Sequence, residues 1–192
     1  MLSALRESAA RFFNYVARGM HAIGFTAMSA TVAGLLAAIG SSYLYYEAQY
    51  SRLLLPWAAG LLLLSGFFDA VDGSLARSFG KVSRFGGFVD SLIDRVDELL
   101  VLSSIILAGL CDTRWGLWAI GSSLLVSYAR SRGETEGADM KVGIAERPER
   151  LLILVFATLF GQIEGGVIVI AVLSTITVIQ RIFRARSQLV QA

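Results

Sequence analysis

From residue 22 onward the chain runs through long apolar stretches separated by short polar breaks, with none of the strict alternation that marks a half-buried strand. The stretches fall at approximately 22–46, 53–76, 85–110, 115–137, 150–164 and 165–182. Most come near the roughly 20 residues a helix needs to cross a bilayer core. Gln162, Glu164, Gly165 and Gly166 mark the expected turn between the last two, because a Gly pair ends helices and polar residues suit an interface. Residues 3–19 read differently: Leu5, Phe12, Phe13 and Val16 are interspersed with arginines, the pattern of an amphipathic helix lying on a membrane surface. The prediction is an all-α integral membrane protein, with a surface helix at about 3–19 and six transmembrane helices within about 22–182. A single domain is expected to fill residues 1–192.

Composition agrees. The chain is 55% hydrophobic with a mean hydropathy of +0.64, outside the range of an ordinary soluble domain. Only two prolines interrupt it, and helices satisfy their own backbone in lipid, so a helical bundle is preferred to a barrel. Cys111 and His21 are each the only residue of their type, which excludes an intramolecular disulfide and a structural zinc site. Arg6, Glu7, Arg11 and Arg18 break the first twenty residues, so no cleavable signal is expected.

The net charge of +2 hides an asymmetry. With six spans, Arg52 and Arg114 fall on one side. Arg6, Arg11, Arg18, Arg77, Lys81, Arg84 and the basic residues from Arg130 to Arg186 fall on the other. The positive-inside rule then predicts a multi-pass plasma-membrane protein with both termini on the cytosolic side.

Charge inside the apolar pattern changes the picture most. Asp69, Asp72, Asp90 and Asp94 all lie within two of the apolar stretches, although an ionised carboxylate near mid-bilayer costs roughly 2.5–3.5 kcal/mol on insertion scales. Steps of three and four residues place each pair on one face of its own helix. The short polar link around Gly80 to Ser83 should make those helices antiparallel neighbours, so the four acids can converge. Convergent oxygen ligands suit hard divalent ions, Mg2+ or Mn2+, and so dense a cluster invites two of them. Gly73, Ala76, Gly86 and Gly87 would let backbones and a bulky ligand approach closely, and Arg77 could contact a phosphate.

The string Asp69-x2-Asp72-Gly73-x2-Ala76-Arg77-x8-Gly86-x3-Asp90-x3-Asp94 resembles, without a departure, the signature of the CDP-alcohol phosphatidyltransferases. The resemblance implies six transmembrane helices behind a surface helix, commonly as a homodimer. It also implies a reaction in which an acceptor hydroxyl attacks the lipid-bearing phosphorus of a CDP-lipid and CMP leaves. Asp69, Asp72 and Asp90 are then the expected metal ligands. Asp94 is expected to join them and to act as general base. Asp69, Asp72, Gly73, Ala76, Arg77 and Gly86 are the expected CDP-lipid residues. One stretch departs from many relatives: where they carry Pro-Asn-x-x-Thr entering the first span, this chain reads Thr26-Ala27-Met28-Ser29-Ala30-Thr31.

The acceptor is addressed by two basic segments, Tyr128-Ala129-Arg130-Ser131-Arg132-Gly133-Glu134 and Gly143-Ile144-Ala145-Glu146-Arg147-Pro148-Glu149-Arg150. Arginines from separate helix ends can enclose an anionic phosphomonoester. These segments resemble those of the phosphatidylinositol phosphate and archaetidylinositol phosphate synthases, with Arg130 where that subfamily has lysine. The resemblance makes Arg130 and Arg150 acceptor-phosphate candidates and Arg181 a third. The expected substrates are inositol 1-phosphate and either CDP-diacylglycerol or CDP-archaeol. Glycerol 3-phosphate is the rival acceptor, and a divalent cation transporter is the rival from another class. Nucleic acid is not among the expected partners. Pro148 should sit in the first turn of its helix.

Overall fold

The computed structural model describes the backbone of residues 2–80 and 83–190, with side chains from residue 11 onward. Seven α-helices and no strand are found among these residues: α1 (Leu2–Ala22), α2 (Ala27–Glu47), α3 (Leu55–Ser78), α4 (Arg84–Leu107), α5 (Thr113–Thr135), α6 (Arg147–Leu159) and α7 (Ile163–Leu189). A 3-10 turn at Arg52–Leu54 leads into α3. Leu5, Arg6, Glu7 and Lys81, which entered the expectations of a surface helix, no cleavable signal and a charge asymmetry, lie outside the described side chains.

Helix starts follow the local chemistry. In the stretch that departs from Pro-Asn-x-x-Thr, Thr26 and Ser29 form a reciprocal capping box at the start of α2, satisfying two backbone donors that would otherwise be orphaned. Ser83 caps α4 by accepting from the Gly86 amide at 2.9 Å. Asp112 caps α5 by accepting from the Arg114 amide at 2.9 Å, and hydrogen bonds from the Arg114 side chain and backbone hold its carboxyl below the ordinary range. Pro148 lies in the first turn of α6, as expected.

The 150–164 stretch is placed differently. Its helix begins at Arg147 and ends at Leu159, and those 13 residues rise only about 20 Å. The expected turn at Gln162–Gly166 also moves. Gly161, with φ +69°, makes the turn because an L side chain resists that left-handed conformation. Gly165 and Gly166 sit inside α7, where a Cβ on Gly166 would meet the Ala157 Cβ at 2.4 Å. Gly166 therefore serves a close helix crossing rather than a helix end.

Small residues bring the central helices together. Ala37 and Ala38 of α2 and Ala58 and Ala59 of α3 are buried, and the Ser41 hydroxyl donates to the Ala58 carbonyl at 2.8 Å. The Tyr45 hydroxyl meets Thr158 Oγ1 at 2.7 Å, tying α2 to α6. α1 packs on α3 around Ala17, Val71 and Leu75. Outward, the molecule exposes Leu36, Trp57, Leu63, Leu92, Trp118 and Phe183, among other large apolar side chains, a surface suited to lipid rather than water. Among the described residues three segments are long and apolar enough to cross a membrane: Ala27–Glu47, Arg52–Ser78 and Ile163–Leu189.

Among the described residues α3 and α4 meet through their acidic side chains, as expected, rather than through close backbone packing, and α2 packs against both.

Candidate active site at the acidic cluster

One carboxylate oxygen from each of Asp69, Asp72 and Asp90 lies within 4.8 Å of the others, bringing together three of the four predicted ligands from α3 and α4. The Asp72 carboxylate accepts the Thr31 hydroxyl at 2.7 Å. Thr31 closes the stretch that departs from the Pro-Asn-x-x-Thr pattern, so that stretch still supplies a hydroxyl to the cluster. Asp90 Oδ1 is buried with no hydrogen-bond partner among the described residues. An orphaned anionic oxygen beside two further carboxylates is an expensive arrangement for the protein alone. Three hard oxygen donors fit a divalent cation.

Asp94 stands apart from this trio and is joined to it by an arginine. Arg147 Nη1 lies 2.8 Å from Asp94 Oδ1 and 2.8 Å from Asp69 Oδ2, while Nη2 lies 3.2 Å from Asp97 Oδ2. Ser65 also donates to Asp97 Oδ2, at 3.2 Å. The cation needed to offset these acids is thus partly Arg147, at the first position of α6, where α3 and α6 pack together.

Two cavities flank Asp94 and Asp90. On one side Gly73, Ala76, Arg77 and Gly86 line, with Asp72 and Asp90, a cavity of about 200 Å³. Five of the six predicted CDP-lipid residues, Asp72, Gly73, Ala76, Arg77 and Gly86, are thus in its wall, and Asp69 is not. A Cβ on Gly73 would lie 3.1 Å from Arg77 Nη1, so the glycine makes room for that guanidinium. Gly86 and Gly87 do not mediate a helix crossing as expected: a Cβ on Gly86 would meet only the capping Ser83 hydroxyl, and one on Gly87 would meet nothing. They border open space.

On the other side Arg130 of α5, Arg150 of α6 and Arg181 of α7 line a cavity of about 150 Å³ together with Asp94, Glu146 and Arg147. The structure therefore brings the three predicted acceptor arginines to one place. None is idle. Arg150 is buried and grips Glu98 through Nε at 2.6 Å and Nη2 at 2.7 Å, with Nη1 donating to the Ala145 carbonyl at 2.8 Å. Arg181 donates to the carbonyls of Val142 and Val126 and pairs with Glu146 at 3.1 Å. Arg130 pairs with Glu134 at 3.0 Å and Glu146 at 3.4 Å. Each guanidinium has five N–H donors, so unspent donors remain for a ligand. One wider opening between α4 and α5, about 780 Å³, includes both Asp94 and Arg130 in its wall.

Sequence reasoning missed Ser65, Asp97, Glu98 and the role of Arg147. Ser65 stands four residues before Asp69, and Asp97 and Glu98 stand three and four after Asp94, so helical spacing was a usable signal for them. No local spacing points from Arg147 to Asp97, fifty residues away.

A helical membrane protein with an acid cluster between a small-residue cavity and an arginine-lined one has the parts that phosphoryl transfer needs, and the family model for CDP-alcohol phosphatidyltransferase matches residues 16–179. The chain belongs to that family. It is 41% identical over 194 residues to an archaetidylinositol phosphate synthase of Pyrococcus horikoshii, covering 98% of each chain. The crystal structure of the Mycobacterium tuberculosis phosphatidylinositol phosphate synthase with CDP-DAG bound is 26% identical. It matches with a TM-score of 0.78 over 92% of this chain and 94% of that one. The same enzyme in complex with manganese and citrate matches with a TM-score of 0.77 at 26% identity, over 90% of this chain and 88% of that one.

Proposed function

We propose that the chain joins inositol 1-phosphate to a CDP-activated lipid, releasing CMP. The observation that carries this reading is Asp94, which borders a cavity walled by three arginines and is bridged by Arg147 to the acid cluster. The likeness to an archaetidylinositol phosphate synthase and to a phosphatidylinositol phosphate synthase supports this acceptor. CDP-archaeol and CDP-diacylglycerol are both proposed donors, since either pair of chains needs only an apolar surface.

In the proposed reaction Arg77, with Gly73, Ala76 and Gly86, receives the nucleotide diphosphate, while Arg130, Arg150 and Arg181 hold the acceptor's phosphomonoester. Asp94 orients the acceptor hydroxyl and takes its proton as that oxygen bonds to the lipid-bearing phosphorus. The bond to the CMP oxygen breaks and CMP departs. Asp69, Asp72, Asp90 and Asp94 are the proposed ligands of two Mg2+ or Mn2+ ions, which when bound neutralise the diphosphate and the leaving phosphate. The membrane arrangement belongs to the same reading: one domain over residues 1–192, α1 on the membrane surface, α2 to α7 as six spans, and both termini and the site on the cytosolic side. A homodimer is proposed by the same family resemblance.

Purified protein with Mg2+, a CDP-lipid and a panel of alcohols and alcohol phosphates tests this, with products read by mass spectrometry. Inositol 1-phosphate should support CMP release. Turnover with glycerol 3-phosphate alone would overturn the acceptor, and metal flux in liposomes without any CMP release would favour a transporter instead.

A further inference from the structure

Arg147 divides its guanidinium between two sets of acids. Nη1 forms ion pairs with Asp69 Oδ2 and Asp94 Oδ1, each at 2.8 Å, two of the proposed ligands of the divalent ions. Nη2 reaches only one oxygen of Asp97, at 3.2 Å. Asp97 is 4% exposed, and its other oxygen, Oδ1, is buried without any partner among the described residues. A buried carboxylate that uses one oxygen and strands the other needs an explanation. The natural partner is already beside it, since arginine pairs best with a carboxylate through two parallel hydrogen bonds. Ser65, donating to Asp97 Oδ2 at 3.2 Å, ties the carboxylate to α3. A cavity of about 30 Å³ lies alongside, lined by Ser65, Asp97, Glu98 and Arg147 among others, large enough to accommodate a small shift.

The geometry points to Arg147 as a resident counter-cation on a pivot, with Asp97 as the positioning residue that holds it when the acid cluster takes a divalent ion. Without metal, Arg147 neutralises Asp69 and Asp94. With metal, its guanidinium withdraws onto both oxygens of Asp97, pairing Oδ1 and freeing Asp94 beside the acceptor cavity. Arg147 is thus a competitor that sets metal affinity, and Asp97 weakens the competition. This rests on the reading that Asp69, Asp72, Asp90 and Asp94 hold a divalent cation.

The test is Mn2+ binding to the purified full chain in detergent, read from the electron paramagnetic resonance of free Mn2+. Arg147→Met should bind Mn2+ about tenfold or more tightly than wild type, because a unit charge a few ångströms away is removed. Asp97→Asn should bind several-fold more weakly, because Arg147 then stays on Asp69 and Asp94. In the Arg147→Met background, Asp97→Asn should have no further effect; a simple loss of negative charge near the metal would weaken binding there as well. Arg147→Lys retains the charge and should stay closer to wild type than Arg147→Met. If Arg147→Met folds only with metal, purification in Mn2+ followed by chelator back-titration yields the same comparison. Weaker or unchanged binding by Arg147→Met overturns the pivot, as does an equal effect of Asp97→Asn in both backgrounds. Absence of Mn2+ binding by the wild type at millimolar concentration overturns the metal-site reading along with it.

Discussion

Removing Glu98 should destabilise the protein by stranding a buried guanidinium. Arg150 has a side chain only 3% exposed, and Glu98 holds it through two charge-assisted bonds of 2.6 and 2.7 Å. Such bonds are worth about 1.5–3 kcal/mol each, and stripping one partner from a buried ion pair typically costs about 3–5 kcal/mol because the other charge is left unpaired. For a chain of this size each kcal/mol corresponds to a shift of about 2–4 °C. Glu98→Ala should therefore lower the melting temperature in detergent by about 6–20 °C. Arg114 supplies the control: it makes a similar two-point pair with Asp112, at 3.1 and 3.0 Å, on a side chain that is 90% exposed. Arg114→Ala should leave the melting temperature unchanged within error. Pairing Glu98→Leu with Arg150→Met should recover most of the loss, since an apolar replacement of both partners removes the stranded charge. Scanning fluorimetry on the variants decides the matter. A Glu98→Ala shift no larger than that of Arg114→Ala would falsify the view that the buried pair is tightly coupled.

Asp94→Asn should abolish CMP release while CDP-lipid binding, measured by calorimetry, survives; near-normal turnover would remove Asp94 from the chemistry. Gly166→Val should destabilise by about 1–3 kcal/mol as overpacking at the α6–α7 crossing, because even a Cβ there would meet Ala157 at 2.4 Å; unchanged thermal stability would show that the crossing yields easily. Burial, and secondarily the charges of Glu164 and Asp112, push the Cys111 thiol up from 9.0 to about 11. Thiolate is the reactive form, so maleimide labelling at pH 7.5 should be slow and should keep accelerating as the pH rises towards 11. A plateau near pH 9 would contradict the burial.

Much of this was legible from spacing. Asp69 and Asp72 share a face because three residues make most of a helical turn, and Asp90 and Asp94 because four make just over one. Gly73, Ala76, Arg77 and Gly86 could be assigned to one pocket through the family signature, and they line one cavity. The substituted Thr26–Thr31 stretch could be seen to differ, yet its use could not be read: a capping box at Thr26 and Ser29 and a hydroxyl on Asp72 from Thr31. Gly161 and Gly166 show the opposite difficulty. Both are glycines near a helix end, and only the packing of Ala157 against Gly166 tells the crossing from the turn.

The sequence by itself determined that this is a helical membrane protein with acids at fixed angular positions on two helices, because helical periodicity and the cost of charge in lipid are local properties. Tertiary structure decided which cation answers which acid. Arg147 took Asp69, Asp94 and Asp97, and Arg150 took Glu98, though the two arginines stand three residues apart in the same motif. The physical reason is that periodicity sets the direction of a side chain around its own axis, whereas the distance to a partner depends on how helices far apart in sequence come together.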